Sequence, residues 1–126
     1  MRSYGEPRRH TLRQRHRLRG KRLFDAVFAA RCRKHAGPLT VLQRPNGLEY
    51  CRLGLIVPRR VGNAVIRHRI QRLLREAFRL DRHGYPHSYD IVVLVRPHTP
   101  RGFDDYRRLL AEAIEQGHSV WQRRGK

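Results

Sequence analysis

The sequence predicts an α+β fold, a small mixed β-sheet with helices packed mainly on one face. Three observations predict it. From Val61 to Leu80 the apolar residues recur at helical spacing. From Tyr50 to Val57 they alternate at strand spacing, and Ile91 to Val95 is a continuous apolar run suited to a strand buried on both faces. Strand, long helix and strand in that order make two strands joined through a helix. A hairpin signal at Asn46-Gly47, ahead of the first of them, supplies a further strand from Pro38 to Gln43.

Each element has a local reason. Residues 1–16 show no period and few apolar groups, and they read as a basic flexible tail. A single domain is expected over 17–118, with a basic C-terminal end at 119–126. A short helix is predicted from about Lys21 to Arg31, because Leu23, Phe24, Val27 and Phe28 follow the i, i+3, i+4 rule. Phe24 and Phe28 lie one turn apart, placed either for a core or for the border of a base-stacking surface. In the strand ending at Val57, residues Cys51, Leu53, Leu55 and Val57 share one face; Arg52, Gly54 and Ile56 share the other. Gly54 leaves an open spot there, and Pro58 ends the strand.

The long helix has two faces. Ile66, Ile70, Leu73, Leu74 and Ala77, with Phe78 at the edge, form an apolar stripe expected to be buried, along with Val65. His68, Arg72, Arg75 and Arg79 form the opposite stripe, flanked by Arg67 and Arg69. Asn63 is the expected N-cap. Arg59 and Arg60 sit just ahead of it, so two guanidiniums and the positive end of the helix dipole converge where a phosphate would fit. Residues 81–89 read as a loop. Phe103 to about Glu115 is a last helix with Phe103, Tyr106, Leu109, Leu110, Ala113 and Ile114 as its core stripe. Asp104 and Asp105 are in its first turn, where the dipole favours them.

Charge then narrows the function. The net charge is +19 over 126 residues. Residues 1–22 hold net +8 and residues 59–79 net +6. Charge this large and this localised calls for a polyanion, and nucleic acid fits better than an acidic membrane. No apolar run approaches the length of a spanning helix. Cys32 and Cys51 form no C-x-x-C and read as packing residues of a chain in a reducing cytoplasm. No H-E-x-x-H, Cys/His cluster or phosphate loop occurs, and the carboxylates do not cluster as a two-metal nuclease requires. Asp90 is an isolated candidate. The residues therefore point to binding rather than to chemistry by the protein itself. Few Asn or Gln side chains accompany the arginines, which disfavours a reader of DNA bases.

The run V-G-N-A-V-I-R-H-R-I-Q-R-L-L-R-E-A-F-R, Val61 to Arg79, resembles the signature helix of the protein subunit of bacterial ribonuclease P. The order of the remaining motifs agrees: R-L-x-x-x-x-x-F-x-x-V-F from Arg17 to Phe28, R-L-G-L-x-V from Arg52 to Val57, and D-I-V-V-L-V-R-P from Asp90 to Pro97. Two positions depart from the family pattern. His68 stands where the family has an Asn associated with RNA and metal contacts, and Pro58-Arg59-Arg60 replaces a usual S-K-K.

The resemblance implies a left-handed β-α-β crossover through the signature helix. It implies an endoribonuclease that removes the 5′ leader of precursor tRNA, with the chemistry and its Mg²⁺ carried by a catalytic RNA subunit. It also implies two sets of contacts. Arg59, Arg60, Asn63, Arg67, His68, Arg69, Arg72 and Arg75 would meet the catalytic RNA. Arg17, Phe24, Phe28, Arg52 and Gly54 would hold the leader. No catalytic residue or metal ligand is assigned in the protein, and no obligate protein partner is expected. The competing reading is a small ribosomal or other structural RNA-binding protein, which would need the basic surface but no groove for a single strand.

Overall fold

A computed structural model describes residues 14–125. The chain runs α1 (Lys21–Ala29), β1 (Arg33–Ala36), β2 (Leu39–Pro45), β3 (Arg52–Ile56), α2 (Ala64–Asp81), β4 (Tyr89–Val95) and α3 (Phe103–Arg124). Short 3-10 turns occupy Gln14–His16, Arg59–Val61 and Arg82–Gly84. The tail reading falls mostly on residues 1–13, outside the described residues. Of the rest of that stretch, Gln14–His16 is a turn, and His16 is buried.

The sheet order is β1-β2-β4-β3. β1 and β4 both pair antiparallel with β2, while β3 runs parallel to β4. β4 is thus an inner strand, which is why its apolar run is unbroken: Ile91, Val92, Val93 and Val95 are all buried. α2 provides the crossover that a parallel pair requires.

The expected hairpin at Asn46-Gly47 is not formed, because β4 separates β2 from β3. The turn chemistry is genuine, since the Asn46 side chain accepts the Leu48 N–H at 2.8 Å. It bends the chain across the start of β4 instead of closing a ladder; the Asn46 N–H donates to the Ser88 carbonyl and its side-chain amide to Asp90. The true hairpin joins β1 to β2 through Gly37-Pro38, with Ala36 opposite Leu39 and Gly37 at φ 55°. β1 is R-K-H-A, an edge strand with no apolar alternation, and so gave no strand signal.

Two cores flank the sheet. On one face α2 and α3 bury Ile70, Leu74, Ala77, Phe78, Tyr106, Leu110, Ala113 and Ile114 against Leu39, Val41, Leu53, Ile91, Val93 and Val95. On the other, α1 packs through Val27 with Leu18, Leu42 and Val92, edged by Leu23, Phe24, Phe28 and Ile56. Among the described residues the first cluster holds 19 buried members and the second four. Each buried aliphatic or aromatic side chain contributes about 1.5–3 kcal/mol, so α1 is the lightly held helix. Val65 does not join the core. It is 77% exposed, in the first turn of α2 and about 100° off the apolar stripe.

α3 runs nine residues past the expected end at Glu115 and takes in the segment read as a basic end. Gly117 reads as a stop, but it is buried mid-helix where a Cβ would lie 2.3 Å from Gln43 Oε1. Beyond it, Trp121 donates its indole N–H to the Gln43 carbonyl at 2.9 Å. Arg124 donates to the carbonyls of Ala30 (2.7 Å) and Arg31 (3.0 Å) and lies 4.6 Å over the Trp121 ring. The last turn of α3 thereby caps the end of α1.

Candidate nucleic-acid interface

The first surface is built around the start of α2. Asn63 is the N-cap, accepting the Ile66 N–H at 2.9 Å. Gly62 stands before it because a Cβ there would meet Ile66 at 2.9 Å. Arg67, half-buried, donates to the Gly62 carbonyl at 3.2 Å and braces the same turn. Arg59, Arg60, His68, Arg69 and Arg72 are exposed. Four arginines and the positive end of an 18-residue helix therefore face outward together. Asn63 and Arg67 are engaged in holding that end in shape. Arg75 is further along, half-buried, and belongs to the second surface.

That surface is a groove of about 190 Å³ between residues 17–19, α1, β3 and α2, lined by Arg17, Arg19, Phe24, Gly54 and Arg75, among others. Residues 17–18 run along β3: Arg17 forms a parallel bridge with Leu53, and Leu18 N–H donates to the Leu53 carbonyl at 2.9 Å. Burial, then the nearby Arg17 guanidinium, pulls the Arg75 pKa below the usual arginine range. No carboxylate is among the groove's lining residues that the structure describes. Like charges held together without a counter-charge make a site that an anion stabilises.

The open spot expected at Gly54 is taken. A Cβ there would meet Phe24 Cζ at 2.5 Å and both Cε atoms at 3.0 and 3.2 Å. The Phe24 ring therefore stands tip-down on Gly54, so its two faces look sideways. Phe28 is half-buried in the same cluster. Arg52 is committed elsewhere: its Nε and Nη2 bind Asp90 Oδ1 and Oδ2 at 2.8 and 2.9 Å. Asp90 also accepts from the Asn46 amide at 3.0 Å. The isolated carboxylate candidate is thus a buried structural anchor. Other acids are paired as well: Asp81 with Arg107 at 2.6 Å, Glu76 with Arg79 at 2.5 Å and Asp25 with Lys21 at 2.7 Å. Among the described residues no group of three or more His, Cys, Asp or Glu is disposed to hold a metal ion.

Sequence reasoning passed over Arg15 and Arg19, which alternate with the buried His16 and Leu18. That alternation was the available signal, in a stretch otherwise lacking any period.

Positive charge gathered on two separate surfaces, one at the start of α2 and one in the groove, defines the class, an α+β RNA-binding protein. The comparisons with known proteins agree. The family described as ribonuclease P matches residues 12–117. A ribonuclease P protein component of Petrotoga mobilis is 35% identical over 107 residues, covering 83% of this chain and 91% of the relative. One of Methylococcus capsulatus is 45% identical over 94 residues, 74% of this chain and 68% of the relative. The ribonuclease P protein of Thermotoga maritima, solved with 1-(4-fluorophenyl)-2-thiourea, superposes with a TM-score of 0.72 at 34% identity, covering 79% of this chain and 97% of that one. The chain belongs to the ribonuclease P protein family. Its work is RNA binding in tRNA processing, and the reading as a ribosomal or other structural RNA-binding protein is not favoured.

Proposed function

We propose that the two surfaces do two jobs within ribonuclease P. The α2 surface, through Arg59, Arg60, Arg69 and Arg72 with His68 beside them, docks on the catalytic RNA. The groove, through Arg17, Arg19, Arg75 and Phe24, with Phe28 beside it one turn along α1, holds the single-stranded 5′ leader of precursor tRNA. Arg52 and Gly54 serve it indirectly, Arg52 by fixing β3 to β4 and Gly54 by seating Phe24. The observation that carries this reading is the groove itself, where three arginines and an aromatic ring meet with no acid among the described lining residues. A basic channel with aromatic faces suits a strand of no fixed sequence, because every base can stack.

In this reading the protein positions and the RNA cleaves. Mg²⁺ prefers oxygen ligands and keeps company with phosphates. The acids of the two surfaces are few and the inner ones already paired, so the ions that support phosphodiester hydrolysis are assigned to the RNA. No helix among the described residues is long and apolar enough to cross a membrane. The free, buried Cys32 and Cys51, with thiol pKa values pushed up by burial, fit a reducing cytoplasm.

The test is substrate discrimination by the reconstituted holoenzyme. Phe28→Ala, and Phe24→Ala where melts show it folded, should weaken precursor tRNA binding by roughly 1–3 kcal/mol per lost stack. Mature tRNA, which has no leader, should bind unchanged. Equal weakening of both tRNAs in a folded variant would refute the assignment.

A further inference from the structure

Beyond the groove, where the strands begin, lies a second cavity of about 650 Å³. Arg15, Tyr50, Arg82, His83 and His87 contribute to its wall, and among the described residues Glu49 is the only acid lining it. It is assembled from three separated parts of the chain: the turn before α1, the link between β2 and β3, and the turn after α2. Its parts are mutually fixed. The Arg15 guanidinium lies 5.0 Å over the Tyr50 ring, the His16 ring meets that ring edge-on at 5.3 Å, and His16 Nε2 is 3.1 Å from Arg82 Nη1.

The cavity lies in line with the groove. Arg75 lines the groove and Arg82 the cavity. Arg82 is the C-cap of α2 and keeps helical backbone angles, so seven residues on from Arg75 it lies about 10 Å further along the axis at 1.5 Å per residue. Along β3 the step from Gly54 back to Arg52 is about 7 Å, and the cavity wall begins just beyond it at Cys51 and Tyr50. Arg19 and Arg17, exposed beside the buried Leu18, lead from the groove towards Arg15. The α2 docking surface is at the other end of that helix, next to the opposite ends of β3 and β4.

We propose that the track for the single-stranded leader continues along Arg19, Arg17 and Arg15 and ends in this cavity. There the Arg15 guanidinium swings from the Tyr50 ring face to a phosphate, the face it uncovers stacks one nucleobase, and Arg82 meets the next phosphate. The proposal rests on the leader reading of the groove. The gap of about 10 Å corresponds to about three stacked nucleotides at ~3.4 Å each, so only leaders longer than the groove reach the cavity.

The experiment uses holoenzyme reconstituted with catalytic RNA and three substrates: mature tRNA, a precursor whose leader just fills the groove, and one about four nucleotides longer. Wild type should bind the longer precursor about tenfold more tightly than the shorter, the size of one base–aromatic stack. Tyr50→Leu and Arg15→Ser should each abolish that gain and leave the shorter precursor unaffected. If Tyr50→Leu lowers the melting temperature, the exposed Arg15 variant carries the test. Equal binding of the two precursors by wild type, both tighter than mature tRNA, would sink the cavity proposal and leave the groove reading intact. No advantage of any precursor over mature tRNA would sink the groove reading itself. If the variants weaken assembly with the catalytic RNA, the cavity belongs to that RNA and the proposal is wrong.

Discussion

Arg52 shows how one side chain can be read rightly for charge and wrongly for role. On sequence it faces the same way as Gly54 and Ile56, next to the predicted groove. In the fold its side chain is 22% exposed and its partner Asp90 2%, and the ion pair holds the guanidinium above even the usual arginine range. The register sets Arg52 directly opposite Asp90 at the start of the parallel pair. Truncating the arginine leaves a buried carboxylate with only the Asn46 amide. Arg52→Ala should therefore cost about 3–5 kcal/mol in urea unfolding, and adding Asp90→Asn should recover much of it. A wild-type melt for Arg52→Ala would mean the pair contributes nothing to the fold. No local pattern could have shown the pair, because 38 residues separate its members.

Among the elements, those with strong periods were legible and those defined by partners were not. α2 and its Asn63 cap, the core stripe of α3 and the doubly buried β4 follow from residue spacing alone. β1 and the last nine residues of α3 do not, because each exists through contacts with distant chain. Arg124 is the clearest case, closing on the carbonyls of Ala30 and Arg31 from 94 and 93 residues away. Arg31 is there at φ 57°, the sole non-glycine described with positive φ. Since α1 has only a small core beneath it, this cap governs how often its last turn opens. Arg124→Ala should speed amide hydrogen exchange at Ala30 and Arg31 and leave exchange in β4 unchanged. Uniform acceleration through the whole domain would mean the cap acts globally.

At the scale of the molecule the charge is arranged, and its arrangement predicts how binding responds to salt. Each phosphate neutralised releases counterions, so log affinity for the catalytic RNA should fall with log salt by about 0.7–0.9 per contact. Replacing Arg69 and Arg72 with Ser should flatten that slope by about one to two units while the fold persists. An unchanged slope would place the docking surface elsewhere. The two arginines were visible in the helical period; the groove was half visible, since Phe24 and Arg17 were found but the seating of Phe24 on Gly54 needed the third dimension. The sheet order has a further effect, on biogenesis. β4 is the last strand to be translated, yet it separates β2 from β3, so both wait with open edges until residue 95 has left the ribosome. Such edges invite pairing with other chains. The arginines that later grip RNA meanwhile give the unfinished chain a strong mutual repulsion, so the charge that serves assembly also guards synthesis.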